Sequence, residues 1–208
     1  MTNLSRRLLL VAAVGASLAL AACNRGGGAG APSAEDMSMG DPNAPVKMVE
    51  YASLSCGHCA RFNEETFPAF KAKYVDTGRV QYTMKELLTP PQQVAAAGFL
   101  LARCGGASPA KYFKIVDEVF RSQPRWQGGN IRPIFVEIAK ANGITEAQFE
   151  ACLQDQAALS ALNERVRQAI ADGIEGTPTF YVNGKRLEGS AVPPLAELDA
   201  AIAAAGRR

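Results

Sequence analysis

The chain carries a single histidine, a single tryptophan and no cluster of lysine or arginine. Each scarcity excludes something. A closed structural zinc site needs four ligands, usually in two similarly spaced pairs, and His58 with the scattered cysteines supplies no second pair. Without a basic stripe the electrostatic footprint of nucleic-acid binding is missing, so no nucleic-acid partner is expected. The apolar run Leu8 to Ala22 is about fifteen residues, short for a membrane span. Internal repeats are absent as well.

What is present begins with an address. Met1 to Arg7 holds Arg6 and Arg7 with no acid, the apolar run follows, and it ends in Leu20-Ala21-Ala22-Cys23, the pattern of an export signal over residues 1–23. Leu-Ala-Ala-Cys resembles a bacterial lipobox, in which Cys23 becomes the lipidated first residue; Ser5-Arg6-Arg7-Leu8-Leu9-Leu10 also resembles a twin-arginine motif. An ordinary Ala-x-Ala cleavage site with an incidental Cys23 fits the same residues. The expected location is the periplasm or cell envelope, lipid-anchored to a membrane if Cys23 is modified. Removing residues 1–23 takes away two arginines and no acid, so 20 basic residues face 20 acidic ones and the mature chain is formally neutral. Outside the cytoplasm disulfides persist, and four cysteines remain. Of their three pairings, chemistry favours Cys56 with Cys59 and Cys104 with Cys152.

Residues 24–41 are rich in Gly, Ala, Pro, Ser and Met without an apolar period, which predicts a flexible tether. The remaining stretch, about 165 residues, suits one domain with a real core.

Chemistry concentrates at Cys56-Gly57-His58-Cys59. The stretch Val46 to Ala52 before it reads as a strand, and Phe62, Phe67, Phe70 and Tyr74 after it recur at helical spacing. Cys56 therefore stands at a helix N-cap. There its sulfur meets free backbone amides and the positive end of the helix dipole, which favours thiolate over thiol. A thiolate is the nucleophile of thiol–disulfide exchange, and Cys59 is near enough to close a disulfide or release a mixed one. An imidazolium at His58 would add positive charge and make the disulfide more oxidising.

Arg79 to Lys85 reads as a second strand. From Pro91 to Asp172 the period is helical, with Ser108-Pro109 and Thr145-x-x-Gln148 as starts and Asn142-Gly143 and Asp172-Gly173 as stops, giving four or five helices. Thr177 to Val182 returns to strand, Asn183-Gly184 turns a hairpin, and Pro193-Pro194 starts a last helix. The order gives an α/β fold in which residues 42–90 and 173–208 form one sheet domain around a helical insertion at 91–172. A Cys104–Cys152 bridge would staple that insertion, with a stabilisation of about 4 kcal/mol in the chain-entropy model.

Four features in order resemble the DsbA family of thioredoxin-fold proteins: Glu50 six residues before the first thiol, Cys56-Gly57-His58-Cys59, the helical insertion, and Gly176-Thr177-Pro178. The resemblance implies a cis-proline loop in which Thr177 and Pro178 border Cys56 and present backbone to an extended substrate peptide. Glu50, on the strand leading into the motif, would carry protons to or from Cys59, with Lys85 on the adjacent strand keeping it ionised. The family implies no cofactor, reduced exported polypeptides as substrates and a DsbB-like membrane reoxidant. One departure stands out: DsbA proteins commonly have proline where this chain has Gly57, and Gly-His is the dipeptide of the protein disulfide isomerases. A dimerising relative carries a helical stalk, for which residues 24–41 are too short and glycine-rich, so a monomer is expected.

The leading expectation is an envelope oxidase that donates disulfides through Cys56 and Cys59. An isomerase or reductase of the same fold is the nearest rival. A copper(I)-handling protein using Cys56, Cys59 and His58, aided by Met37 and Met39, is a rival of another class. Apolar surface beside the motif is expected from Leu54, Phe99 or Trp126.

Overall fold

The computed structural model describes residues 28–126 and 129–206. The expected signal segment, Cys23 and residues 24–27 lie outside the described residues. Five strands form one sheet in the order β1-β3-β2-β4-β5: β1 Met37–Met39, β2 Val46–Ala52, β3 Val80–Glu86, β4 Thr179–Val182 and β5 Lys185–Arg186. β2 and β3 run parallel, whereas the other neighbours run antiparallel. A parallel pair needs a crossover. Here α1 (Gly57–Glu65), α2 (Phe67–Phe70) and a π-helical turn at Lys71–Val75 supply it. Pro68 occupies the first turn of α2, where its missing N–H costs nothing, so a new helix starts there.

The insertion between β3 and β4 holds α3 (Gln92–Ala102), α4 (Pro109–Ser122), α5 (Arg132–Ala141), α6 (Glu146–Gln154) and α7 (Gln156–Ala171), and α8 (Leu195–Ala205) follows the hairpin. The starts have the chemistry their residues predict: the Ser108 side chain accepts from the Lys111 amide, and Thr145 with Gln148 closes a reciprocal capping box. Cys104, just beyond α3, and Cys152, within α6, form a disulfide across the insertion.

β2 feeds two cores. Val46, Met48 and Ala52 join the main one with Phe62, Phe70, Val80 and Tyr82, while Val49 and Tyr51 join a smaller one with Leu87, Ile174 and Tyr181. A strand covered on both faces loses the simple apolar–polar alternation, and all of β2 except Lys47 is buried.

The flexible tether expected as far as Asp41 is corrected by this structure. β1 pairs with β3, Met37 opposite Met84, and Asp36 meets Lys85 at 3.4 Å. Further upstream the Gly30 amide donates to the Tyr51 hydroxyl at 3.1 Å. Gly30 has φ +79°, and a Cβ there would fall 2.4 Å from the Tyr181 ring, a fit open to glycine alone. Composition misleads here because an edge strand takes its hydrogen bonds and burial from the neighbour it joins, and needs no apolar period of its own.

Candidate active site

Local hydrogen bonds hold the end of β2 in place. The Cys56 amide donates to the Ser53 carbonyl at 3.0 Å, the Ser53 hydroxyl accepts from the Thr89 amide at 3.0 Å, and the Ser55 hydroxyl donates to the Thr89 carbonyl at 2.7 Å. From the insertion, the Gln123 side-chain amide donates to the carbonyls of Leu54 at 2.9 Å and Cys56 at 3.3 Å. Helix α3 can come this close because residue 98 is glycine: a Cβ there would stand 2.8 Å from Leu54 Cδ1. Cys56 caps α1 in extended geometry, φ −84° and ψ 118°, and its sulfur accepts from the Cys59 amide at 3.4 Å. Behind it, α1 is held to the sheet by Phe62 against Phe180, ring centroids 4.6 Å apart.

The second wall is the Thr177–Pro178 peptide bond, which is cis. The Thr177 carbonyl lies 3.3 Å from the Cys56 sulfur, where the thiol donates to it. The loop is tied down by the Thr179 hydroxyl donating to the Gly176 carbonyl at 2.8 Å. The Thr177 hydroxyl is buried and has no hydrogen-bond partner among the described residues.

These contacts split the two thiols. The Cys59 thiol, donating to the Cys56 sulfur, is the largest influence holding Cys56 low. The Thr177 side chain and the amides of Cys59 and His58 act the same way, and together they outweigh burial and bring Cys56 from 9.0 to about 5. Burial pushes Cys59 well above the ordinary thiol range, and its hydrogen bond to Cys56 and the nearby Glu50 carboxyl push it further. Glu50 is 1% exposed. Burial raises its carboxyl from 4.5 to about 8, opposed by a hydrogen bond from Tyr82 and assisted by the charge on Cys56. At neutral pH the trio is a thiolate, a thiol and a protonated acid.

A family model described as thioredoxin matches residues 33–204. The chain belongs to the thioredoxin family. Its DsbA-like form is shared with the crystal structure of Wolbachia pipientis alpha-DsbA1, 27% identical, with a TM-score of 0.76 over 85% of this chain and 93% of that one. Oxidised BdbD from Bacillus subtilis, at 20% identity and a TM-score of 0.74, covers 83% of this chain and 94% of its own and shares the fold. A Rickettsia bellii relative that carries the name of a protein-disulfide oxidoreductase is 31% identical over 170 residues, 80% of this chain. The match spans 64% of that relative, so this chain covers less than two thirds of its length. The α/β thioredoxin fold with a helical insertion is the fold of this protein.

Within this thioredoxin-family site, the residues singled out from sequence fall into two groups. Cys56, Cys59, Glu50, Thr177 and Pro178 converge, while Lys85 does not join them. In the parallel register Glu50 lies opposite Met84 and Tyr51 opposite Lys85, so Glu50 and Lys85 project to opposite faces of the sheet. Lys85 instead pairs with Asp36 and lies over the Tyr51 ring, 5.6 Å from its centroid. The expectation that Lys85 keeps Glu50 ionised is therefore corrected: the side chain that meets Glu50 is Tyr82, and the acid is held protonated. His58 is exposed, and its backbone amide is among the donors to Cys56.

Leu54 and Phe99 are wholly buried and present no surface beside the thiols. Trp126 is partly buried, donates to the Ser122 hydroxyl at 2.9 Å and packs edge-on against Phe135. Met37 and Met39 sit on β1, separated from β2 by β3 and packed on the main core, so they do not complete a thioether site with Cys56 and Cys59. Sequence reading missed Gln123 and Tyr82. Nothing local marks Gln123, since it acts 67 residues away. The period of two along β3 does put Tyr82 and Met84 on the face opposite Lys85.

Among the described residues no helix is long and apolar enough to cross a membrane.

Proposed function

We propose that this protein is an envelope thiol–disulfide oxidoreductase that donates disulfides to exported polypeptides through Cys56 and Cys59. The observation that carries the reading is the Cys56 sulfur at the N-cap of α1, depressed to about 5 and walled by the cis Thr177–Pro178 loop. A stabilised thiolate is a good leaving group, and a reduced form favoured in this way makes the disulfide form oxidising.

In the forward reaction a substrate thiolate attacks Cys56 of the Cys56–Cys59 disulfide. The S–S bond between them breaks, a mixed disulfide forms on Cys56, and Cys59 leaves as thiolate. Glu50 then gives its proton to Cys59, whose high affinity for a proton makes the transfer favourable. A second substrate thiolate attacks the substrate sulfur of the mixed disulfide and releases Cys56 as thiolate. Two electrons have passed from substrate to enzyme, so a membrane reoxidant of the DsbB kind must remove them. Thr177 and Pro178 offer an extended substrate backbone a place to lie beside the sulfur without reading its sequence. Anchoring through Cys23 would keep the enzyme at the membrane where that reoxidant lies, and the enzyme works as a monomer.

Cys59→Ala removes the thiol that can return to Cys56 and expel a bound chain, so a Cys56 thiolate that attacks a disulfide of an exported polypeptide should stay joined to it in cells; an absence of adducts overturns the reading. Equilibrium titration against glutathione should give a potential well above that of thioredoxin. A value near or below thioredoxin's assigns the site to a reductase.

A further inference from the structure

The carboxyl of Glu50 has two unlike oxygens. Oε2 accepts a hydrogen bond from the Tyr82 hydroxyl. Oε1 is equally buried and has no partner among the described residues. Leaving a buried oxygen unpaired is costly, so its persistence asks for a reason. The tyrosine ring is itself clamped: Phe67 of α2 lies 4.8 Å from its centroid and Phe113 of α4 lies 5.8 Å away. The hydroxyl is thus placed by the crossover and by the insertion together, and it cannot follow the carboxyl if the carboxyl rotates.

We propose that Tyr82 is a positioning residue for proton transfer at Cys59: its hydroxyl occupies Oε2 of Glu50 and leaves Oε1 as the oxygen that exchanges a proton with the buried sulfur. The inference rests on the oxidoreductase reading for the use made of that proton. When Cys59 leaves as thiolate, the Oε1–H bond breaks and an S–H bond forms on Cys59. The negative charge passes to Glu50, where the tyrosine hydrogen bond strengthens to receive it. The titratable groups facing Glu50 are Cys56 and Cys59 from the active-site loop and Tyr82 from β3, with Tyr112 of α4 beyond Tyr82; β4 presents Phe180, which carries no charge.

Tyr82→Phe keeps the ring packing and removes only the hydroxyl. In the reduced protein, carbon-13 titration of the Glu50 carboxyl should show a midpoint of about 8, and Tyr82→Phe should raise it by about one pH unit or more, since hydrogen bonds to charged groups are the strong ones. The pH profile of mixed-disulfide resolution should move by the same amount, and Tyr82→Phe should have no effect on it in a Glu50→Gln background. A midpoint that stays or falls overturns the proposal. Should the variant not fold, the wild type serves: the Tyr82 ring carbon bearing the hydroxyl must show an inflection at the Glu50 midpoint that Glu50→Gln abolishes, and its absence overturns the proposal equally. The titration needs no substrate. A wild type that exchanges no disulfides refutes the oxidoreductase reading, whereas an unmoved midpoint in one that does refutes the role of Tyr82.

Discussion

The Cys56 sulfur lies 3.3 Å from the carbonyl oxygen of Thr177, a residue 121 positions later in the chain. That contact joins the two segments of the sheet domain across the whole helical insertion, beside the antiparallel pairing of β2 with β4. It also sets a chemical tension, because the carbonyl accepts a hydrogen bond from the thiol but repels the thiolate. Donors must therefore dominate once the proton leaves, and they do: the Cys59 thiol first, then the Thr177 side chain and two backbone amides.

The first consequence is selective reactivity. Iodoacetamide should modify Cys56 in the reduced protein with a midpoint of about 5, and Cys59 should stay unmodified at pH 7. Peptide mapping after a timed quench reads both. A Cys56 midpoint near that of free cysteine, about 8.5, contradicts the capping argument.

On Thr177 it is the side chain that favours the thiolate: its hydroxyl, without a partner while the thiol donates to the backbone carbonyl, is the group able to donate once that proton has left. Thr177→Val keeps the shape, removes that donor, and should raise the Cys56 midpoint by about one pH unit, the scale of a hydrogen bond to a charged group. The disulfide should become less oxidising in step. An alkylation midpoint equal to wild type would assign the lowering to the amides and Cys59 alone.

Glu50 makes stability depend on pH. Its folded-state value, raised to about 8, exceeds the unfolded 4.5, so the stability it contributes is fully present below 4.5 and is lost as pH rises through 8. Relative to wild type, Glu50→Gln should therefore gain about 1.4 kcal/mol for each pH unit between those limits. Urea unfolding at pH 5 and pH 7.5 tests it, and an unchanged gap between the two proteins contradicts a buried protonated acid.

The bridge between Cys104 and Cys152 belongs to the scaffold. It spans 48 residues, and replacing both cysteines by alanine should cost about 4 kcal/mol while leaving Cys56 alkylation at neutral pH unaltered. Denaturant melts measure the loss. A changed Cys56 midpoint in that variant would show that the staple also shapes the active-site loop.

Much of this protein is dictated locally and so can be read from the chain. The N-cap at Cys56, the capping box at Thr145 and Gln148, and the hairpin at Asn183 and Gly184 each depend on residues within a few positions of one another, where backbone geometry leaves few choices. Register and burial do not work that way. Which side chain meets Glu50 depends on how β2 slides against β3, and the answer, Tyr82 in place of Lys85, exchanges an ionised acid for a protonated one. The docking of Gly30, the pairing of β1 and the reach of Gln123 into the active-site loop likewise join segments whose own sequences say nothing of each other. Short-range sterics and capping were enough to identify the nucleophile, but desolvation acts through whatever packs around a group, and only the folded chain decides that.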